Sequence, residues 1–443
     1  MKKIDALILS TLTASLLIGC GGGGGGSSSG SSSTTTVTTT SSSTTTTSGT
    51  STSTTSTTPS TSLDYLNSLR NKAGMISFND NSLLNQSAYN HAKYEASNNL
   101  YGHYESSSYS YFTGITPSDR ALYVGFQSGA SENLTAGEKE YKESIDVLFT
   151  AIYHRLNFLD FSFNEVGMAR EKNSTDSYYY VYNMGNGLLN DLCSGTSYTG
   201  YDSYYTDVCK NSSFRIEASK YDLAENTIKN SNPDMVVWPY ENQQDFDPAF
   251  FEESPDPLPS CGVTGDPVSV KFNDAKFNTI TMNSFKLYDE DNNEITDTTI
   301  LDKQTDSNKM LDAYEFVLFP MERLSWDTNY SAVFSYKAEG IDKEKRWSFK
   351  TKPTGYPTYN LTSSEETFNV VSNQTYAIYI PPVDCNDDRY NYNYYSGYSI
   401  IINLNDSLDA NTLLFNISGN VGDVLDIVMA NGKKFHLKLV EKL

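Results

Sequence analysis

Residues 21–62 consist almost entirely of glycine, serine and threonine, and this tract limits where in the chain a fold can form. It has no apolar periodicity and cannot bury a hydrophobic core, which predicts a disordered tether. A flexible chain of this length has an end-to-end distance on the order of 35 Å. The folded domains are therefore expected in residues 63–443, which is long enough for about two or three of them.

The first 20 residues have the pattern of an export signal. Lys2 and Lys3 are positively charged and precede a short apolar run, residues 6–18, which is shorter than the ~20 residues needed to span a bilayer. The run ends in Leu17-Ile18-Gly19-Cys20, which resembles the lipobox of bacterial lipoproteins. We predict that residues 1–20 are a lipoprotein signal peptide and that Cys20 is lipidated. The alternative is a plain secretory signal with a chance cysteine.

The residue that follows Cys20 indicates which of the two bacterial membranes the lipoprotein is anchored to. It is Gly21 and not an aspartate, which in this class of lipoprotein favours the outer membrane. The predicted location is therefore the bacterial cell envelope, with the protein exported and anchored to the outer membrane by its lipid. The formal net charge of −22 argues against nucleic acid and anionic lipid surfaces as partners.

Four cysteines remain once Cys20 is assigned to lipid. Cys193 and Cys209 are close in sequence in a polar, tyrosine- and glycine-rich stretch, and in an oxidising compartment this predicts a disulfide. Cys261 and Cys385 either pair across domains or stay free thiols, and the sequence leaves both alternatives open.

Helical periodicity dominates the segment that follows the tether. Apolar residues recur every three or four positions in three stretches, which predicts amphipathic helices over about 63–73, 84–96 and 141–152. A further short helix is predicted to begin at Pro117, and residues 166–169 and 178–182 have the composition of strands.

His103, Glu132 and His154 are the candidate site residues of this segment, in a chain that has only four histidines. His103 follows the second predicted helix, Glu132 lies in a predicted loop, and His154 ends the helix that contains residues 141–152. Imidazole and carboxylate groups suit a divalent metal such as zinc, and they also suit proton transfer near neutral pH. The alternative is structural, with His154 complementing a helix dipole and Glu132 capping a neighbouring helix. His91, within a helix, is expected to be a helix-surface or packing residue and not a ligand.

The order of these motifs resembles that of the CAP superfamily, the SCP/PR-1-like domain, in its bacterial secreted branch. The resemblance covers about residues 63–185 and rests on Leu66-Asn67-Ser68-Leu69-Arg70, Leu84…Ala88…His91-Ala92, His103, Arg120…Gly125, Glu132-Asn133-Leu134, His154-Arg155 and Asn164-Glu165-Val166-Gly167. It implies an α-β-α sandwich with a cavity lined by two histidines and two acids. His103, Glu132 and His154 match three of these positions, and Ala151 stands where the family has its second acid. Glu105 and Glu165 are possible substitutes.

The resemblance implies several functions, because CAP proteins are variously described as binding lipids, metals or proteins, or as cleaving peptides. The leading hypothesis is a non-enzymatic surface binding module whose cavity holds zinc or another divalent metal through His103, Glu132 and His154, with no catalytic residue. Its partner is an unknown small molecule, lipid or protein at the cell surface. One alternative is a metal-dependent or His/Glu-assisted hydrolase, although the His-Glu-x-x-His signature is absent from the chain. Another is a structural or adhesive protein with a vestigial cavity.

The C-terminal half is predicted to be all β, so the chain is multidomain. The CAP-like domain with its extension spans residues 63–235, and a proline-rich linker spans 236–260. Short alternating strands then predict an Ig-like β-sandwich over residues 261–352 and a further small all-β module over 353–443. Asn431-Gly432 between alternating flanks predicts a hairpin in the last module. His436 in this hairpin is expected to be structural or exposed.

The lipid anchor is tested by replacing its acceptor. In a Cys20→Ala variant the thiol that would carry the lipid is gone, so we expect the protein to be released or mislocalised. Membrane fractionation measures this directly. A variant still held firmly in the outer membrane would contradict the prediction.

Overall fold

The computed structural model describes residues 62–251, 253–387, 392–396 and 399–442. The predicted signal peptide, Cys20 and residues 21–61 of the tether lie outside this part of the chain, so their assignments stay predictions. Ser62, the last residue of the predicted tether, begins the first helix. In the described ranges, no helix is both long and apolar enough to cross a membrane.

The N-terminal part of the described chain is a sheet covered by helices on both faces. Its elements, in chain order, are α1 (Ser62–Lys72), β1 (Asn79–Asp80), α2 (Ser82–Asn98), α3 (Pro117–Val124), β2 (Ala130–Ala136), α4 (Tyr141–Thr150), α5 (Ile152–Phe158), β3 (Glu165–Lys172) and β4 (Tyr178–Gly185). The strands lie in the order β1-β3-β4-β2, with β1 parallel to β3 and the other pairs antiparallel.

Alternate residues of β4 contact opposite helical layers. Tyr180 and Tyr182 share a buried cluster with apolar residues of α1 and α4, whereas Val181 packs against Ala88 and Ala92 of α2. This alternation is the expected consequence of a strand buried on both faces. The predicted α-β-α sandwich is therefore confirmed.

Gly167 of β3 allows helix α2 to approach the sheet closely. A Cβ atom added at Gly167 would lie 1.9 Å from the backbone carbon of Leu84 in α2. Asn81 fixes the start of the same helix, because its side chain accepts hydrogen bonds from the Leu83 and Leu84 N–H groups. The position of α2 on the sheet thus depends on the missing side chain at residue 167.

An extension follows the sandwich. It contains α6 (Gly187–Ser194), β5 (Tyr204–Tyr205), β6 (Ile216–Glu217) and α7 (Ala218–Asn230). A disulfide joins Cys193 of α6 to Cys209, which confirms the predicted pairing.

The next region is all β and begins earlier than the sequence indicated. Its strands are β7 (Met235–Trp238), β8 (Gln243–Phe246), β9 (Val268–Phe272), β10 (Ile280–Tyr288), β11 (Glu294–Ile295), β12 (Thr298–Leu301), β13 (Glu315–Pro320), β14 (Asn329–Ala338) and β15 (Ile341–Thr351). They form two sheets, β11-β10-β14-β15-β8 and β12-β13-β9-β7. Strands β7 and β8 thus fall largely within the predicted linker, because they pair with β9 and β15, which lie downstream in sequence.

Helix α5 packs on the outer face of the β12-β13-β9-β7 sheet. Its residues Ile152, Tyr153 and Leu156 share a cluster with Val317 and Phe319 of β13. Every residue of β9 and of β13 is buried, as expected for strands covered on both faces. The sandwich and the first β unit are therefore packed directly against one another.

The last module consists of β16 (Thr358–Asn360), β17 (Glu365–Val371), β18 (Thr375–Tyr379), β19 (Tyr392–Ser396), β20 (Ile401–Asp409), β21 (Thr412–Ser418), β22 (Val424–Met429) and β23 (Lys434–Val440). The sheets β16-β18-β21-β20 and β17-β23-β22-β19 share one apolar core. Strands β22 and β23 form the predicted hairpin, with Gly432 at positive φ. A disulfide links Cys261 to Cys385, which decides the pairing that the sequence left open.

The close packing at Gly167 is tested by adding one methyl group. We expect Gly167→Ala to lower the free energy of unfolding by about 3 kcal/mol, because the Cβ meets backbone that can move only with the whole of α2. Urea denaturation measures the loss. Lys172→Ala, on the exposed end of the same strand, is the control and is expected to change stability little. Equal stability of the Gly167→Ala variant and wild type would contradict the packing.

Candidate functional site

His103 and Glu132 form one buried pair within the sandwich. The Nδ1 atom of His103 lies 2.9 Å from Glu132 Oε1, and each residue is 3% exposed. Glu132 belongs to strand β2 and not to a loop as predicted, because it pairs with Asn183 across the β2–β4 ladder. The strand therefore fixes the direction of the carboxylate.

Arg120 of α3 holds both members of this pair. Its Nη2 atom donates to both carboxylate oxygens of Glu132 at 2.7 Å, and its Nη1 atom donates to the His103 carbonyl oxygen at 2.8 Å. Charge-assisted hydrogen bonds of this kind are stronger than those between neutral groups. Glu132 thus has both oxygens occupied before any ligand arrives.

Glu132 remains ionised despite its burial. Burial by itself would raise the pKa of this carboxyl, but the positive charge of Arg120, together with His91 and His103, outweighs it and lowers the pKa to about 2. The pKa of His103 is lowered, chiefly by burial, against the opposing effect of Glu132. Glu132 is therefore an anion that orients a mostly neutral imidazole at neutral pH.

His154 lies in the first turn of α5, not at the C-terminal end of a longer helix. The predicted helix is interrupted at Ala151, whose backbone is extended, so α4 ends at Thr150 and α5 begins at Ile152. The helix-dipole explanation for His154 is therefore wrong, because a cation is stabilised at a helix C-terminus and not at its N-terminus.

The partner of His154 is Glu253, which sequence reasoning missed. Glu253 Oε1 lies 2.7 Å from His154 Nδ1 and also accepts from the backbone N–H groups of Tyr153 and His154, at 3.0 and 3.2 Å. Glu253 lies in the proline-rich segment that follows β8. The only signal in the sequence was an acidic pair within that segment, Glu252-Glu253, with no spacing to relate it to His154.

The two histidines face one another. Their ring centroids are 6.4 Å apart with an interplanar angle of 28°. Each Nδ1 contacts a carboxylate, so the proton is assigned there and Nε2 carries the lone pair. Both Nε2 atoms are buried and, among the residues that the structure describes, neither has a hydrogen-bond partner. An unpaired buried nitrogen lone pair can accept a proton or coordinate a cation.

The other predicted cavity acids have different partners. Glu105 contacts the buried His91 at 2.9 Å and accepts from the Thr113 N–H at 2.7 Å. Glu165, at the start of β3, accepts from the Asn81 side chain at 2.8 Å. Glu105 also lies 3.8 Å from Nε of Arg120, the residue that holds Glu132, so it borders the His103–Glu132 pair, whereas Glu165 contacts the residue that caps α2.

Across the described ranges, no group of three or more His, Cys, Asp or Glu side chains is arranged to hold a metal ion. Glu132 is oriented toward Arg120 and His103.

Comparison with known proteins places the sandwich in a family. Residues 63–184 match the model of CAP, the cysteine-rich secretory protein family, which confirms the resemblance. Similar solved structures include an outer surface protein from Borrelia burgdorferi, with 19% identity over 27% of this chain and 85% of that one (TM-score 0.24). An extracellular SCP-domain protein from Bacillus anthracis has 21% identity over 27% of this chain and 38% of its own (TM-score 0.23). No curated protein matches the chain.

The charge state of Glu132 predicts a pH dependence of stability. Its folded pKa, about 2, is below the ordinary 4.5, so its contribution is present above pH 4.5 and is lost as the pH falls toward 2. The difference corresponds to about 3 kcal/mol. We expect Glu132→Gln to be less stable than wild type at pH 7. The difference between their free energies of unfolding should become smaller below pH 4.5. Urea denaturation at pH 7, 4.5 and 3 measures this difference. A difference that does not change with pH would count against the assignment of Glu132 as a buried anion.

Proposed function

We propose that the CAP domain of this chain is a non-enzymatic binding module of an exported, lipid-anchored protein, in which His103 and His154 contact the ligand. The observation that carries the proposal is the pair of buried Nε2 atoms without partners among the described residues. Two such nitrogens on facing rings are costly to bury unless a ligand uses them. The proposal includes the outer-membrane anchor at Cys20 and the Ig-like character of residues 261–352.

A divalent cation is the ligand that this donor set suits best. Neutral imidazole is a common zinc ligand, and histidines that bind metals usually donate their other N–H to a carboxylate. Glu132 and Glu253 are in that position relative to His103 and His154. A cation bound by these two nitrogens would supply a positive centre with coordination positions left for an oxygen or nitrogen donor of a surface partner.

The two carboxylates favour binding over hydrolysis. Glu132 accepts from Arg120 and His103 and has a pKa of about 2, whereas an efficient general base has a pKa near the working pH. Glu253 accepts from His154 and from two backbone N–H groups. Both acids are thus engaged in orienting histidines, and neither is placed to activate a water molecule.

The test is zinc titration of the full chain by calorimetry at pH 7.5. We expect His103→Ala and His154→Ala each to weaken zinc binding at least about tenfold, because each removes one of the two nitrogen donors. His436→Ala is the matched control, since His436 lies on β23 of the last module and contacts Asp426 and Glu365 instead. Circular dichroism establishes that the variants are folded.

The same experiment separates the alternatives. Equal zinc affinity in all four proteins would mean that the two histidines do not form a metal site. Zinc binding that depends on both histidines, without turnover of peptide or ester substrates by wild type, supports the binding module. Turnover that is lost in the same variants would support the hydrolase instead.

A further inference from the structure

Glu253 belongs to a different part of the chain from the histidine that it contacts. It lies outside residues 63–184, which match the CAP family, and 99 residues after His154. Its side chain is buried, and its carboxylate accepts hydrogen bonds from the Tyr153 N–H, the His154 N–H and His154 Nδ1. One acidic side chain therefore contacts both the backbone and the imidazole of the same helical turn.

The local geometry of α5 explains why an acid is needed there. The break at Ala151 starts a new helix whose first N–H groups have no intrahelical acceptor, and Ala151 has no side chain that can cap them. Glu253 supplies the acceptor from outside the helix. A carboxylate is favourable at this position because it also complements the positive end of the helix dipole.

The β region holds Glu253 in place. Phe250, three residues earlier, pairs with Thr264 through two backbone hydrogen bonds of 3.0 and 2.9 Å. Its ring packs edge-on against Phe319 of β13, with centroids 5.5 Å apart. Leu258, five residues later, is buried in the same cluster, which also contains Ile152 and Leu156 of α5. The segment around Glu253 is thus anchored on both sides by the contact between the CAP domain and the first β unit.

We infer that Glu253 is a positioning residue that sets the tautomer and orientation of His154, so that the ligand site is assembled across the two units. This inference rests on the proposed function and adds that docking of the β unit regulates the same site. His103 receives its carboxylate from within the CAP domain, whereas His154 receives its carboxylate only when the β unit is docked. Binding and docking are therefore coupled, and by linkage each strengthens the other.

The experiment uses the full chain with Glu253→Gln, which keeps the size of the side chain and removes its charge. We expect zinc affinity to fall about 10- to 100-fold, the usual effect of losing a carboxylate that orients a metal-binding histidine. Nitrogen-15 NMR of the imidazoles, recorded without zinc, gives a second readout. We expect wild-type His154 to be protonated at Nδ1 and the variant to shift toward the Nε2-protonated tautomer.

Asp266→Asn is the matched control for a general loosening of the interface. Asp266 pairs with Arg155, the residue after His154, at 2.9 Å, and both are buried. This variant is expected to keep the wild-type tautomer of His154 and to bind zinc within a few-fold of wild type. Equal zinc loss in the two variants would overturn the positioning role, because docking alone would explain it.

The NMR readout keeps this inference separable from the proposed function. If wild type binds no zinc, the metal proposal fails, but the tautomer of His154 still decides the role of Glu253. A wild-type His154 protonated at Nε2 overturns the inference without any variant. An unchanged tautomer in Glu253→Gln overturns it as well.

Discussion

The burial of helix α5 between the CAP sheet and the β12-β13-β9-β7 sheet is the constraint on which the rest of the structure depends. One side of this helix packs on β13 through Ile152 and Leu156, and Phe158 joins the core shared with α1 and α4. A helix covered on both sides removes its polar groups from water, and each then needs a partner. Asn157 finds its partners in strand β2, whereas the carboxylate partners of Tyr153, His154 and Arg155 come from the β region.

Three consecutive residues of α5 show how this need is met. Tyr153 donates to Asp306 at 2.7 Å, His154 contacts Glu253 at 2.7 Å, and Arg155 contacts Asp266 at 2.9 Å. Removing one partner of a buried hydrogen bond is more destabilising than the bond is stabilising, because the other polar group is left without a partner. The carboxylates therefore fix how the two units dock, and the docked position in turn fixes His154.

The two histidine–carboxylate pairs have the same chemistry but different origins. Glu132 is placed by strand β2 and held by Arg120 of α3, so the environment of His103 is complete within the CAP domain. The environment of His154 is completed by a residue that follows β8. His154, three residues after Ala151, thus receives its carboxylate from the neighbouring β unit. The surroundings of the two facing imidazoles are therefore a property of the two units packed together.

The sequence by itself determined the features that local patterns encode. Helical periodicity predicted α1 and α2, the order of motifs predicted the CAP sandwich, close spacing predicted the Cys193–Cys209 disulfide, and Asn431-Gly432 predicted the last hairpin. Each of these depends on residues near one another in sequence or on a spacing that recurs in a family.

Only the tertiary structure decided which groups meet at the site. The break at Ala151, the strand position of Glu132, the pairing of Cys261 with Cys385, and the contact of Glu253 with His154 all followed from packing between distant segments. Nothing in the residues around Glu253 distinguishes it from an exposed acid of a proline-rich connector. Its role arises because a buried helix start requires an acceptor, and the docked β unit is the part of the chain that brings one within hydrogen-bonding distance.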